Sequence, residues 1–300
     1  MRTETGSVYR QRILKVLLHI QGHLDEPISL TDLAGIACFS PFHFHRIFQG
    51  LVGESVKEHI RRLRLERAVH RLLGGGQTIL EIALDAGYET HESFTRAFQE
   101  MFGEAPSVYR RRRSARFAAA PAGVYFEPLR ALRTFQPKTG GGATMKVRIE
   151  KLPPKRVAFA RHVGPYDKCG AAWGKICSWA GPRRLLGPKT VSIGVCYDDP
   201  EVTPPDKIRY DACVTVADSV AGEGEIGVQT IPGGEFAIFT HKGPMENLLK
   251  TYQAIFGEWA PKSGRVIRAG PSYEVYLNDP NTTPPEKILI DIQVPLEPKK

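Results

Sequence analysis

The chain has 300 residues, 42% of them hydrophobic and 24% charged, and carries a formal net charge of +9. That composition belongs to a globular chain long enough for two domains, and no apolar run approaches the roughly 18 to 20 residues needed to cross a bilayer. Five cysteines (38, 169, 177, 196 and 213) form an odd set without a C-x-x-C, which argues against a disulfide framework or a zinc site.

The opening MRTETGSVYRQRI lacks the apolar stretch and cleavage site of a signal peptide, so a cytoplasmic location is expected, without a membrane partner. Excess positive charge favours an anionic partner such as nucleic acid. It is shared evenly between residues 1–113, 114–145 and the remainder, so charge alone does not locate that partner.

The first third is one unit written twice. Ser29-Leu-Thr-Asp-Leu-Ala-Gly-Ile-Ala answers Thr78-Ile-Leu-Glu-Ile-Ala-Leu-Asp-Ala at an offset of 49, and His45-Arg-Ile-Phe-Gln answers Thr95-Arg-Ala-Phe-Gln at 50. Each copy opens on a capping pattern, Ser29-x-x-Asp32 and Thr78-x-x-Glu81, and predicts a short helix. A second helix follows, capped by Ser40-Pro41 in one copy and Thr90 in the other. Its apolar residues, Phe44, Ile47, Phe48, Leu51 and Val52, answered by Phe94, Ala97, Phe98, Met101 and Phe102, mark one core face.

The opposite face carries Phe42, His45, Arg46 and Gln49 in the first copy, and Glu92, Thr95, Arg96 and Gln99 in the second, with His91 nearby. Short helix, tight turn and a helix with a polar outer face predict a helix-turn-helix, whose second helix enters the major groove of double-stranded DNA. Between the copies, residues 55 to 73 predict a connecting helix of about 28 Å at 1.5 Å per residue. Two recognition helices on such a spacer match successive major grooves, roughly 34 to 36 Å apart. Arg61, Arg62, Arg64 and Arg110 to Arg113 are suited to phosphates.

The motifs S-P-F-H-F-H-R-I-F, R-L-R-L-E-R-A and I-L-E-I-A-L-D-A-G-Y-E-T-H-E-S-F-T-R-A-F closely resemble the AraC/XylS-type DNA-binding domain over residues 8–113. The resemblance implies that Phe42, His45 and Arg46 face one groove, and Glu92, Thr95 and Arg96 the next. Gly74-Gly75-Gly76 lacks the G-K-[ST] of a phosphate loop and predicts a helix stop. His43 and His45 fall on different helix faces, so no metal is expected there, and nothing calls for a cofactor.

Residues 114–144 lose periodicity through A-A-A-P-A-G and P-K-T-G-G-G-A, which predicts a linker with a short ordered piece near 124–129. The expected division is an all-α domain over 1–113 with tandem helix-turn-helix units, a linker over 114–144, and an α+β domain over 145–300.

That last domain is also duplicated. His162-Val-Gly-Pro and His241-Lys-Gly-Pro are 79 apart, and Thr203-Pro-Pro-Asp-Lys and Thr283-Pro-Pro-Glu-Lys 80 apart. Each copy predicts a strand ending at His-x-Gly-Pro, an amphipathic helix (Trp173 in one, Tyr252 in the other) and two further strands, a β-α-β-β unit. V-S-I-G-V-C-Y-D-D in one copy matches P-S-Y-E-V-Y-L-N-D in the other, so Gly194 answers Glu274.

The motifs H-V-G-P-Y, I-G-V-C-Y-D-D-P and Y-E-V-Y-L-N-D-P resemble the GyrI-like effector-binding domain over 145–297. The resemblance implies a small-molecule effector in the groove between the two units, with Glu274 meeting its positive charge. Alternation puts Glu274 and Tyr276 on one strand face, and a carboxylate among aromatic rings needs a partner or a raised pKa. Trp173 and Tyr252 are weaker candidates for the same site, and Gly194 is expected to leave room for the ligand body.

A sequence-specific transcription regulator that senses a small hydrophobic cation, with RNA polymerase as a further candidate partner, is the leading expectation. It assigns no catalytic residue. The alternative is a GyrI-like hydrolase of reactive small molecules using Glu274 as proton acceptor, and a third is a structural rear domain that recruits other proteins.

Overall fold

The computed structural model describes residues 2–112, 117, 119–128, 132–137, 146–200 and 202–299, and the side chains of residues 2–7 and 42 lie outside that description. The expected domain boundaries, Arg113 and Leu129 fall outside it too. The described residues form two compact units: one of residues 7–38, 48–112 and the described part of 117–137, the other of 2–6, 39–47 and 146–299.

The helical unit opens with α1 (Arg2–Gly22), which the sequence did not predict. Tyr9, Ile13, Val16, Leu17 and Ile20 bury one stripe of it at helical spacing. The duplicated helices then follow as α2 (Leu30–Ile36) and α3 (Pro41–Val52), with α5 (Ile79–Asp85) and α6 (His91–Phe102) in the second copy. The caps are made as the sequence requires. Asp32 N donates to Ser29 Oγ at 3.1 Å, Glu81 N to Thr78 Oγ1 at 3.2 Å and Ser93 N to Thr90 Oγ1 at 3.1 Å. Gly103 ends α6 in the left-handed region at φ 76°, and Gly53 holds the equivalent position after α3 at φ 87°.

The connecting helix α4 (Val56–Gly74) has 19 residues and a capping box from Ser55 and Glu58. With α5, α6 and α7 (Pro106–Arg112) it encloses a core that includes Leu65, Leu72, Ile82, Phe94, Phe98 and Tyr109. Fully burying each of the two phenylalanines contributes about 1.5–3 kcal/mol. Phe98 meets Tyr109 edge-on at 5.4 Å.

Part of the expected linker is packed, and it includes the stretch near 124–129 where a short ordered piece was expected. Val124 and Phe135 are buried, Phe126 N donates to Glu66 Oε2 at 2.7 Å, and Arg62 Nη1 donates to the Val124 carbonyl at 2.8 Å. Isolated apolar residues carry no period, so this strap left no helical or strand signature.

In the second unit an eight-stranded antiparallel sheet runs in the order β1-β6-β8-β7-β3-β4-β2-β5. Its strands are β1 (Arg148–Leu152), β2 (Lys155–Val163), β3 (Ser192–Cys196), β4 (Arg209–Thr215), β5 (Ile226–Ile231), β6 (Gly234–Lys242), β7 (Ser272–Tyr276) and β8 (Leu289–Pro295). Helices α8 (Gly170–Ala180) and α9 (Leu248–Gln253) occupy corresponding places in the two copies, and α9 continues into a wider turn over Ala254–Trp259. The order reads the same from both ends once copies are exchanged, which is the pseudo-twofold relation the repeats demand.

Each copy is nevertheless larger than the β-α-β-β expected. An extra strand precedes each and is exchanged: β1 pairs with β6 of the other copy, and β5 with β2. Both lie at sheet edges. The sequence RIEKL of β1 is almost wholly exposed, so it lacks the apolar run by which a buried strand is recognised. On the face away from the helices, Val157, Val195, Cys213, Phe236, Ile238 and Tyr273 join one apolar core.

Candidate functional site

The centre of the sheet is the antiparallel pair β3–β7, in which Gly194 lies opposite Glu274 and Ser192 opposite Tyr276. Alternation turns Val195, Tyr273 and Val275 into the apolar core. It leaves Gly194, Cys196, Glu274 and Tyr276 on the helix-bearing face, where α9 contributes Tyr252 and α8 contributes Trp173. The four residues expected around a ligand are thus brought together.

Glu274 is only 6% exposed, and each of its oxygens accepts a phenolic hydrogen bond. Tyr252 Oη donates to Oε1 at 2.9 Å and Tyr276 Oη to Oε2 at 3.3 Å. Since Tyr276 spends its hydrogen on the carboxylate, Tyr210 must donate to Tyr276, 3.1 Å away, and Trp173 Nε1 donates to Tyr210 Oη at 3.1 Å. This directional chain ends on Glu274 and carries the polarity of a carboxylate across the floor. Trp173 also meets the Tyr276 ring edge-on at 5.3 Å.

Burial pushes the Glu274 carboxyl above its ordinary value of 4.5, against hydrogen bonds from Tyr252, Cys196 and Tyr276 and the Arg46 charge, which draw it down. Burial likewise pushes the hydroxyls of Tyr210, Tyr252 and Tyr276 well above 10, so all three act as donors. Tyr276 is shared by two cavities. One of about 310 Å³ is lined by Glu274, Tyr252, Tyr210, Cys196, Tyr166 and Arg46 among others, and one of about 700 Å³ by Trp173, Cys177, Thr190 and Asn278 among others.

The room expected beside Gly194 is not open. A Cβ there would overlap the hydroxyl and ring of Tyr210, so this glycine admits a tyrosine from β4 rather than the ligand body. Tyr210 and Cys196 went unpredicted. The β3–β4 pairing, with Gly194 opposite Ala212 and Cys196 opposite Tyr210, would have revealed them, but register is set by tertiary structure.

The residues expected to face DNA are placed unequally. On α6, His91, Glu92 and Arg96 are exposed and Thr95 is half-buried. On α3, Gln49 is half-buried, while His45 is 2% and Arg46 4% exposed. The Phe42 side chain lies outside the described residues. His45 and Arg46 belong to the same compact unit as the sheet, where both approach the buried Asp199. Arg46 Nε lies 3.2 Å and His45 Nδ1 3.4 Å from Asp199 Oδ2. Neighbouring His43 stacks on Phe256 at 4.8 Å, and burial followed by the Arg46 charge holds its pKa down to about 3.

The arginines expected to meet phosphates also separate. Arg62 is internal, forking onto Glu54 and reaching Glu66 at 2.7 Å. Arg64 donates to the carbonyls of Leu24 and Glu26, and Arg110 to that of Gln77. Arg61, paired with Glu100 at 2.6 Å, and Arg111 and Arg112 remain on the surface. No helix among the described residues is long and apolar enough to cross a membrane.

Comparison with known proteins agrees with this architecture. A family model described as GyrI-like small molecule binding domain matches residues 145–297, and one described as Helix-turn-helix domain matches residues 33–112. The chain is 43% identical over 102 residues to the uncharacterized HTH-type transcriptional regulator YbfP of Bacillus subtilis, covering 34% of this chain and 35% of that protein. It is 36% identical over 99 residues to the right origin-binding protein of Escherichia coli, covering 33% and 34%. It thus spans about a third of the length of those two relatives. The probable transcriptional regulator YgiV of Escherichia coli is 28% identical over 159 residues, which is 51% of this chain and 97% of that protein. The chain belongs to the GyrI-like small molecule binding family, and carries that domain behind an AraC-type helix-turn-helix domain.

Proposed function

We propose that this protein is a sequence-specific transcription regulator that binds double-stranded DNA through α3 and α6 and senses a small, hydrophobic cation at Glu274. One observation carries the ligand class: a buried carboxylate in a cavity lined by the rings of Tyr166, Tyr210, Tyr252 and Tyr276, with Cys196 and Arg46 beside it. Taking an isolated carboxylate from water is costly, and a lipophilic cation offsets that cost while its apolar body covers the rings. The DNA part is supported by the duplicated helix-turn-helix and the exposed polar face of α6. RNA polymerase is the partner through which such a regulator would act.

Titration of the full chain with tetraphenylphosphonium tests the ligand class. Saturable binding is expected, weakened at least about tenfold, or roughly 1.4 kcal/mol, in Glu274→Gln. Equal affinity in both proteins would remove Glu274 from the reading.

The raised carboxyl of Glu274 also suits a proton acceptor, which keeps hydrolysis as a second reading. Product formed from an epoxide by the wild type and lost in Glu274→Gln would favour the enzyme over the sensor.

A further inference from the structure

Arg46 brings a second property to the Glu274 cleft. It is expected on the DNA-reading face of α3, yet it is one of the residues lining the cavity of about 310 Å³ that contains Glu274. Its guanidinium carbon lies 4.3 Å from the centroid of the Tyr252 ring and 5.8 Å from that of Phe256, both inside the roughly 6 Å at which a cation is held by a ring face. Tyr252 is the same ring whose hydroxyl donates to Glu274. Asp199, itself 1% exposed, anchors the guanidinium as an ion pair, with its Oδ2 3.2 Å from Arg46 Nε.

These are the elements by which the cleft would recognise a lipophilic cation: a carboxylate, the face of Tyr252 and exclusion of water. We propose that Arg46 is the resident cation of the Glu274 cleft, and that a ligand cation displaces it, returning Arg46 and His45 to the reading face of α3. Resting on the assignment of the cleft as a cation site, this names how that site is regulated. One side chain cannot lie over Tyr252 and fork onto a guanine edge at once, so the two uses exclude each other.

Ligand and DNA then favour the same state, and linkage requires each to raise the affinity of the other by one common factor, roughly 5- to 150-fold for typical couplings. The second copy contains no such device, since Arg96, which answers Arg46, is exposed.

The test uses the full chain and tetraphenylphosphonium. Arg46→Ala removes the competitor, so it should bind the cation about 5- to 50-fold more tightly than wild type. Asp199→Asn, which weakens the anchor and leaves cleft and reading face in place, should shift affinity the same way by a smaller factor. A merely structural Arg46 would give unchanged or weaker binding, and that result in both variants overturns the proposal.

Hydrogen exchange without ligand separates the two ideas. If neither wild type nor variant binds the cation, the cation-site assignment fails. The contact is then judged by amide protection of residues 43–47, which must fall in both Asp199→Asn and Glu274→Gln. Protection unchanged in either variant overturns the resident-cation proposal whatever the titration shows. Arg46→Gln, closer in size, replaces Arg46→Ala should the latter not fold.

Discussion

Gly194 faces Glu274 across the central strand pair, and the absence of its side chain is what lets the Tyr210 hydroxyl reach Tyr276. The duplicated domain has thus diverged at its axis: one copy supplies the charge, and the other a tyrosine that helps to hold it. Gly194→Ala should destabilise the protein by about 1–3 kcal/mol, the usual cost of overpacking. Combining it with Tyr210→Ala should cost less than the two single changes together, by at least about 0.5 kcal/mol. Urea denaturation of the four proteins measures this, and simple additivity would contradict the contact.

Glu274 gives the ligand-free protein a particular pH dependence. Its folded pKa is raised above the ordinary 4.5, chiefly by burial, so between those two values the folded state binds more protons than the unfolded one. Stability contributed by this group therefore falls as pH rises from 4.5 through the folded pKa. Glu274→Gln should be more stable than wild type at pH 7, and the advantage should vanish as pH approaches 4.5. Thermal melts across that range check the sign, and a wild type more stable at pH 7 would refute it.

Glu54 behaves in the opposite way. Burial alone would raise its carboxyl, but hydrogen bonds from His59 at 2.7 Å and from Arg62 bring it down to about 2. Stability from this group is present above the ordinary 4.5 and is lost as pH falls towards 2. Arg62→Ala should cost about 3–5 kcal/mol, as breaking a largely buried pair does, and should flatten this acid limb. It should leave the salt slope of DNA binding unchanged, because Arg62 is engaged within the helical unit rather than at its surface.

Arg96 and Arg111 should separate base reading from phosphate contact. Arg96→Ala is expected to cost about 1–3 kcal/mol on a preferred duplex and to relax preference at one or two base pairs, while Arg111→Ala lowers the salt slope by about 1. Competition binding against random duplex at two salt concentrations measures both. Equal affinity of wild type and both variants for every duplex would rule out docking through α6.

Much of the fold was legible because it rests on local rules. Capping residues marked the starts of α2, α5 and α6, the 3.6-residue period marked their core faces, and two internal repeats announced two duplicated domains. The edge strands β1 and β5 and helix α1 were not legible, and the strap around Val124 was legible only as a short ordered piece. The two strands are short edge strands, and the strap is a string of single anchors without a period.

For the site, sequence alone determined that Glu274 and Tyr276 share a strand face and that Gly194 is the counterpart of Glu274, since alternation and repetition are properties of the chain itself. Tertiary structure decided what surrounds them. Only the pairing of β3 with β4 and β7 brings Tyr210 over Gly194, and only the folded unit brings Arg46 and Asp199 together from residues more than a hundred positions apart. Strand register and long-range ion pairs depend on which surfaces are buried together, and that is a property of the packed molecule, with no counterpart in the spacing of residues along the chain.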